Sequence, residues 1–526
     1  MRNTFTQAFL VVLLSLFIYQ SSVAQAYSWA VKAFGKGFSE GRAITSDASG
    51  NTYVVGYFRE VAIFWDTSPG QLFRAVGESD VFVGKLDAEG QPVWVTQLGG
   101  AGFDIGYAIA SDEVGNVYVT GSFSDTVHFA QASGIPPLVA KGRSDIFLAK
   151  FNSEGQPVWA KQLGGVGNDV GKSVSLDAAG QIYLAGSFER TIDFTLEKGT
   201  TSLTASGTDI FISKLDTNGN YLWTKHLGGR NLEVLTLKEI TADDIGQVYL
   251  IGEFQGTVYL NPNTEEEALP LTALGGTDIF VGKIATNGEY EWIKSFGSTQ
   301  EDRGSGITLN QAGQLYITGK FSGTIDFNSS EKTHELTATS TFDIFVGKLD
   351  KKGNFLWAKQ FNGTKEKDNF SDVPSFYFTS EAYLRTLLGA DNWSSDQPFK
   401  MVRSNESLGI TSDSKGNIYL VGNFEKTVDF DPGEGTAPLT AAGALDIFIC
   451  KLDTDGKYQW AKQVGAKNAE EGGHSITLDA ANNLYFTGYL SGGIVDFDPN
   501  ESTNTLEAIG GTDMFVCKWK TTTSKR

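Results

Sequence analysis

Apolar and polar residues alternate along this chain in short runs, and the runs return in the same order about every 65 residues. Strict alternation over five to seven positions is the signature of a strand with one buried face. In the second copy the runs 107–111, 117–123, 145–151 and 157–163 predict four strands. The turns between them, Asp112-Glu113-Val114-Gly115-Asn116 and Asn152-Ser153-Glu154-Gly155, place glycine where a tight hairpin needs positive φ. Seven copies can be counted in three columns. Trp29, Trp94, Trp159, Trp223, Trp292, Trp357 and Trp460 form the first. Asp80, Asp145, Asp209, Asp278, Asp343, Asp446 and Asp513, each two places before a phenylalanine, form the second. Tyr53, Tyr118, Tyr183, Tyr249, Tyr316, Tyr419 and Tyr485, each three places before a glycine, form the third.

A period this regular over 526 residues argues for one closed array rather than several independent cores. The expected fold is all-β: a seven-bladed β-propeller with four antiparallel strands per blade. The first strand of each copy carries Ile44, Ile109, Val174, Ile240, Ile307, Ile410 or Ile476 beside a small residue, which suits the crowded axis. The chain opens with an orphan fourth strand near 28–34, and the seventh copy stops after its third strand near Trp519. Each end completes the other, so the N-terminal strand is expected to close the last blade.

Residues 1–26 read differently. Arg2 precedes an apolar run from Phe9 to Tyr19 and an Ala24-Gln25-Ala26 site, the pattern of a secretory signal cleaved after Ala26, or after Ala24. The run is too short to span a bilayer comfortably, and no later segment is longer, so residues 27–526 are expected to form an exported, monomeric propeller without a membrane span. Gly is abundant at 61 and Pro scarce at 12, which fits many short strands. A net charge of −20 argues against nucleic acid as a partner, because phosphate binding needs clustered Lys and Arg. The two cysteines, Cys450 and Cys517, precede the same strand lysine in neighbouring blades. Sheets pack about 10 Å apart, beyond the ~7 Å Cα limit for a disulfide, so both are expected to be buried free thiols.

Trp159-Ala160-Lys161-Gln162-Leu163-Gly164-Gly165, Asp413 to Asn417, Thr427-Val428-Asp429-Phe430-Asp431-Pro432-Gly433 and Asp343 to Asp350 resemble the bacterial β-propeller repeat called SBBP, over nearly the whole chain after the leader. The resemblance implies an exported or surface-exposed protein, often with a C-terminal sorting domain; here Lys518 to Arg526 leaves no room for one.

Residues repeated seven times are expected to hold blades together, so function is sought where one copy departs. The connections from second to third strand and from blade to blade share one face. They carry segments of about 20 residues such as 124–144, and acidic links with Asp104, Asp169, Asp302, Glu470 and Glu471. On that face Trp94 to Ile109 spans 15 residues but Trp357 to Ile410 spans 53, an insertion of 38 within about 362–405 between blades 5 and 6. Its Tyr377, Tyr383, Trp393 and Phe399 supply aromatic area for a lid or docking knob, or for a decorative insertion that covers its own apolar residues. Glu239 stands in a column held otherwise by Ala, Ser and Gly, as a ligand for a cation or sugar hydroxyl, as a partner of Lys238, or simply solvated. Asp429-x-Asp431-x-Gly433 and Asp496-x-Asp498 are candidate Ca²⁺ loops, with turn formation the simpler role. No other cofactor is indicated. His128, His226, His334 and His474 lack metal-ligand spacing, and no nucleophile or phosphate-loop motif is present. The expectation is a secreted binding or scaffold module at the bacterial envelope, with a surface protein or glycan as partner and no assigned catalysis. The alternative is a carbohydrate-active hydrolase or lyase using paired carboxylates on the long-connection face.

Overall fold

The structure, a computed structural model, describes residues 23–65, 71–129, 134–196, 199–231, 235–260, 270–327, 334–364, 405–498, 500 and 503–523. Most of the leader and nearly all of the 362–405 insertion, including Tyr377, Tyr383, Trp393 and Phe399, lie outside the described residues. The described residues form strands and turns, with no helix among them. Seven antiparallel sheets of four blade strands follow the repeat. In blade 2 the order is Asp104–Ser111, Val117–Phe123, Asp145–Phe151 and Pro157–Leu163, so three of the four expected strands match to the residue.

The ring closes as the chain ends suggested. Blade 7 comprises Glu470–Leu478, Leu484–Ser491, Asp513–Thr523 and, from the other end of the sequence, Val23–Gly35. Val23 pairs with Thr523 and Lys32 with Phe515, one ladder along the whole edge. The closing strand is longer than 28–34 and begins inside the segment read as leader, so cleavage after Ala26 leaves 27–35 to hold the ring. The innermost strands touch in sequence around the axis, with Glu470–Leu478 against Ser39–Ser46 completing the circle.

One expectation is overturned. The long connection from second to third strand is not an open loop but a second small hairpin, such as Val61–Phe64 with Gln71–Arg74 or Thr427–Asp429 with Pro438–Thr440. Three of these hairpins pair with the outermost strand of the preceding blade: Phe64 with Ala33, Tyr259 with Gly228, and Val428 with Gly363. The alternating Thr-Ile-Asp-Phe pattern of the connection is a strand pattern, and it satisfies main-chain groups that an open loop would leave to water.

Each invariant column has a structural task. Trp indole N–H groups reach into the next blade: Trp29 Nε1 donates to Ala88 O at 3.2 Å, Trp94 to Ser153 O at 2.9 Å and Trp292 to Lys351 O at 3.1 Å. The turn that receives Trp29 needs glycine twice over, since Gly90 has φ of 83° and a Cβ there would stand 2.5 Å from the indole. Tyr rings meet these Trp rings at 6.0 Å for Trp29–Tyr485 and 6.3 Å for Tyr53–Trp94. Strand lysines lie over the Tyr faces, as Lys150 does over Tyr118 at 4.9 Å. The buried column aspartates accept a backbone N–H from four residues upstream and an amide proton from the outermost strand, as Asp145 Oδ2 does from Gln162 Nε2 at 2.6 Å. In blade 3 His226 takes the glutamine's place, 2.7 Å from Asp209. In blade 4 the shorter Ser295 stands there, and Asp278 Oδ1 is left without a hydrogen bond. Cys450 and Cys517 are buried and free, as expected.

Trp29 carries the hydrogen bond to Ala88 and the packing against the Gly90 turn by which blade 7 meets blade 1. Trp29→Ala should therefore lower the unfolding free energy by about 3–5 kcal/mol. Equilibrium urea denaturation measures it, and a loss under about 1 kcal/mol would mean the indole is not a closing contact.

Candidate functional site

The innermost strands share one irregularity. In all seven the ladder to the second strand skips a residue, at Arg42, Tyr107, Lys172, Lys238, Ser305, Leu408 and His474. A bulge of this kind re-aims its side chain and increases local twist. Seven equivalent bulges at the start of the inner strands put these side chains around the axis, at the end that carries the long connections. The residue there changes from blade to blade except for the lysines of blades 3 and 4, unlike the uniform Trp, Asp and Tyr columns.

The surrounding charges interlock across blades. Arg42 pairs with Glu40 at 2.8 Å and lies over Tyr57 at 5.5 Å. Lys238 pairs with Glu253 at 3.2 Å, Arg303 with Glu301 at 3.1 Å, and Lys320 reaches Glu406 of the next blade at 2.9 Å. His474 Nδ1 lies 3.0 Å from Gly41 O of blade 1, with its ring 5.5 Å from that of Tyr489. Lys172 stands over Tyr107 of blade 2 at 4.2 Å.

Proton affinities follow from this crowding. Burial, with the like charges of Lys238 and Arg42, pushes the Lys172 ammonium down to about 7. Burial and Arg42 bring His474 to about 4, so its imidazole is neutral at pH 7. Burial alone would raise the Glu40 and Glu406 carboxyls. Arg42 and His474 for the first, and Lys320, Lys238 and Arg303 for the second, hold them below the usual carboxylate range.

Glu239 stands beside the Lys238 bulge. Its Oε2 accepts the Ile307 N–H of blade 5 at 2.8 Å, while Lys238 turns to Glu253 instead. Ser173 and Ser475 do the same for Ile240 and Ile44 at 3.1 and 3.3 Å, so the column supplies an acceptor to the inner edge of the next blade. Burial raises the Glu239 carboxyl to about 8. The acidic links are likewise built into the frame: Asp104, Asp169, Asp302 and Glu471 are buried and accept backbone N–H groups, as Asp104 Oδ2 does from Gly100 at 2.8 Å and Asp169 Oδ2 from Gly165 at 2.7 Å.

The candidate Ca²⁺ acids sit in the outer hairpins of blades 6 and 7, away from the axis. Asp429 Oδ1 accepts Ala437 N–H at 2.7 Å and Asp431 Oδ1 accepts Gly433 N–H at 2.8 Å. Asp496 Oδ1 accepts Asn504 N–H at 2.9 Å and Asp498 Oδ1 accepts Asn500 N–H at 2.9 Å. These are side-chain-to-backbone turns. Among the described residues no group of three His, Cys, Asp or Glu is placed to hold a metal ion.

The bulge residues were missed in the sequence because the column beside them, Ala43 to Ser475, is the one that strict alternation directs toward the axis. The signal was present: Arg42, Tyr107, Lys172, Lys238, Ser305, Leu408 and His474 differ in size and charge, whereas the column two places on, Ile44 to Ile476, hardly varies.

These features define a seven-bladed β-propeller. Residues 93–122 match the family model of the SBBP beta-propeller repeat. The chain is similar to an uncharacterized WD repeat-containing protein of Acanthamoeba polyphaga mimivirus, 24% identical over 84% of this chain and 34% of that protein. It is also similar to the regulatory protein FlaEY of Caulobacter vibrioides, 25% identical over 65% of this chain and 32% of that protein. The chain thus spans about a third of the length of the curated relatives it matches. Among solved structures, the PQQ domain of pyranose dehydrogenase from Coprinopsis cinerea aligns with 78% of this chain and 92% of its own, at 11% identity and a TM-score of 0.32.

Two outcomes are expected. The folded-state values of Asp104 and Glu471 (about 8), Asp169 (about 7) and Asp302 (about 6) lie above those of the unfolded chain, so the native state holds these protons more tightly. Their stabilising contribution is complete at pH 4 and is lost as pH rises through 6 to 8. His474 acts oppositely only below about 6.5, and Lys172, lowered to about 7 in the fold, acts oppositely above 7, where it offsets only part of the fall. The melting midpoint should therefore fall between pH 6.5 and pH 8.5, less steeply in Asp104→Asn; a flat or rising profile contradicts the burial of the link acids. If the hairpin acids serve turns alone, EDTA will leave the midpoint unchanged and calorimetry will register no Ca²⁺ uptake. A chelator-induced drop of several degrees would instead make them ligands.

Proposed function

We propose that this chain is an exported β-propeller acting as a binding scaffold at the bacterial envelope, and that it engages a surface protein or glycan with its long-connection face, centred on the channel mouth. The observation that carries this reading is the contrast between columns: seven uniform sets of Trp, Asp, Tyr and Lys build the ring, while the seven bulge residues at its mouth differ in size and charge. A frame does not need that variety, whereas recognition does. The insertion joins Phe355–Gly363 to Glu406–Ser412, so its ends stand on the same face, and Tyr377, Tyr383 and Trp393 would add to that surface. No helix among the described residues is long and apolar enough to cross a membrane; export rests on the leader pattern.

A hydrolase or lyase would need two converging carboxylates, one kept protonated. The protonated acid beside the mouth, Glu239, is bonded to Ile307 N–H, and Glu40 and Glu406 are paired with cations and ionised. Binding without chemistry is the better-supported reading.

Hydrogen exchange of the purified chain with and without a bacterial envelope fraction tests it. Protection should appear in the first halves of the inner strands, near 39–42, 170–172 and 406–408, and weaken on deleting 365–404. Protection confined to the short hairpins of the opposite face, or none, would sink the proposal.

A further inference from the structure

Within this acidic protein the mouth gathers five cations, of which one is left without an acid among the described residues. Arg42, Lys238, Arg303 and Lys320 are each answered by a carboxylate within 3.2 Å. Lys172 has no carboxylate partner among the described residues; its one recorded neighbour of opposite character is the face of Tyr107. Two further polar atoms nearby, Arg303 Nε and Glu253 Oε2, are buried with no hydrogen-bond partner in the protein. Buried unsatisfied groups of this kind are rare and call for a counterpart.

We propose that the channel mouth binds the carboxylate of a sugar acid, with Lys172 as its counter-ion and the half-exposed ring of Tyr107 beside the sugar. This rests on the binding reading above and names its ligand class. One unanswered ammonium calls for one negative charge, which selects a carboxylate over a phosphate dianion. The neighbouring cations are already neutralised and supply orientation rather than charge. Tyrosine side chains present an apolar ring with a polar end, which suits a pyranose, apolar on its C–H face and polar at its rim. Burial with like-charged Lys238 and Arg42 makes Lys172 costly to keep charged without an anion. An arriving carboxylate removes that cost, which gives the ligand its driving force.

Sodium glucuronate is the probe, titrated into the full chain by calorimetry at pH 7.0, with glucose, inorganic phosphate and an N-acetylated dipeptide bearing a free C-terminal carboxylate in parallel. Glucuronate should bind at least tenfold more tightly than any of the three. Lys172→Met should weaken it at least tenfold, Lys172→Arg should restore binding to within a few fold, and Lys352→Met, in an exposed turn on the opposite face, should change nothing. No glucuronate binding, equal binding of glucose, tighter binding of phosphate or the dipeptide, or an unaffected Lys172→Met would each overturn the proposal. If glucuronate fails while envelope protection of the long-connection face persists, only the ligand class falls and the scaffold reading stands.

Discussion

Everything in this molecule depends on the antiparallel ladder between Val23–Gly35 and Asp513–Thr523. A blade's innermost strand has one edge without a ladder partner, and the N–H groups there must be satisfied by the preceding blade. Ser173, Glu239 and Ser475 do so for Ile240, Ile307 and Ile44. The last of these contacts joins blade 7 to blade 1 and exists only in a closed ring. The same holds for Trp29 on Ala88 and for the Tyr485 hydroxyl, which donates to Gly50 O at 3.2 Å. Closure therefore does more than hide an edge: it completes the socket that every other blade obtains from its sequence neighbour.

The ring also sets the electrostatics of the mouth. Net charge is −20, yet the bulge column brings Arg42, Lys172 and Lys238 onto one axis. Charges held together in a narrow space are partly desolvated, so their mutual effects are far larger than on an open surface. Arg42 and Lys238 are offset by acids of their own blades, and Lys172 is left with an aromatic face. Elsewhere acids are used in the opposite way. Asp104, Asp169, Asp302 and Glu471 are buried as backbone acceptors in the blade links, where burial raises their proton affinity and leaves Asp104 and Glu471 largely neutral at pH 7.

Much of the frame was legible because its determinants are local. The strands 117–123, 145–151 and 157–163 were readable to the residue, since alternation and Gly-bearing turns are properties of short stretches. The second hairpin of each blade was not, although its Thr-Val-Asp-Phe and Pro-Leu-Thr segments alternate. Segments of two to four residues are too short to distinguish from loop without the outer strand they pair with. Glu239 was legible as an outlier but not as a hydrogen-bond acceptor, because Ile307 is 68 residues away along the chain. The bulge column was concealed for a related reason: one skipped residue reverses which side chains face the axis, and nothing within a single strand records the skip.

By itself the sequence determined the blade number, the strand order, the joining of head to tail and the free thiols, all of which follow from periodicity and from counting what each end lacks. Only the tertiary structure decided which of the varied residues meet. Arg42, Lys172, Lys238, Glu406 and His474 belong to five different blades. Their proximity arises from seven wedges sharing one axis, a distance that no stretch of chain encodes.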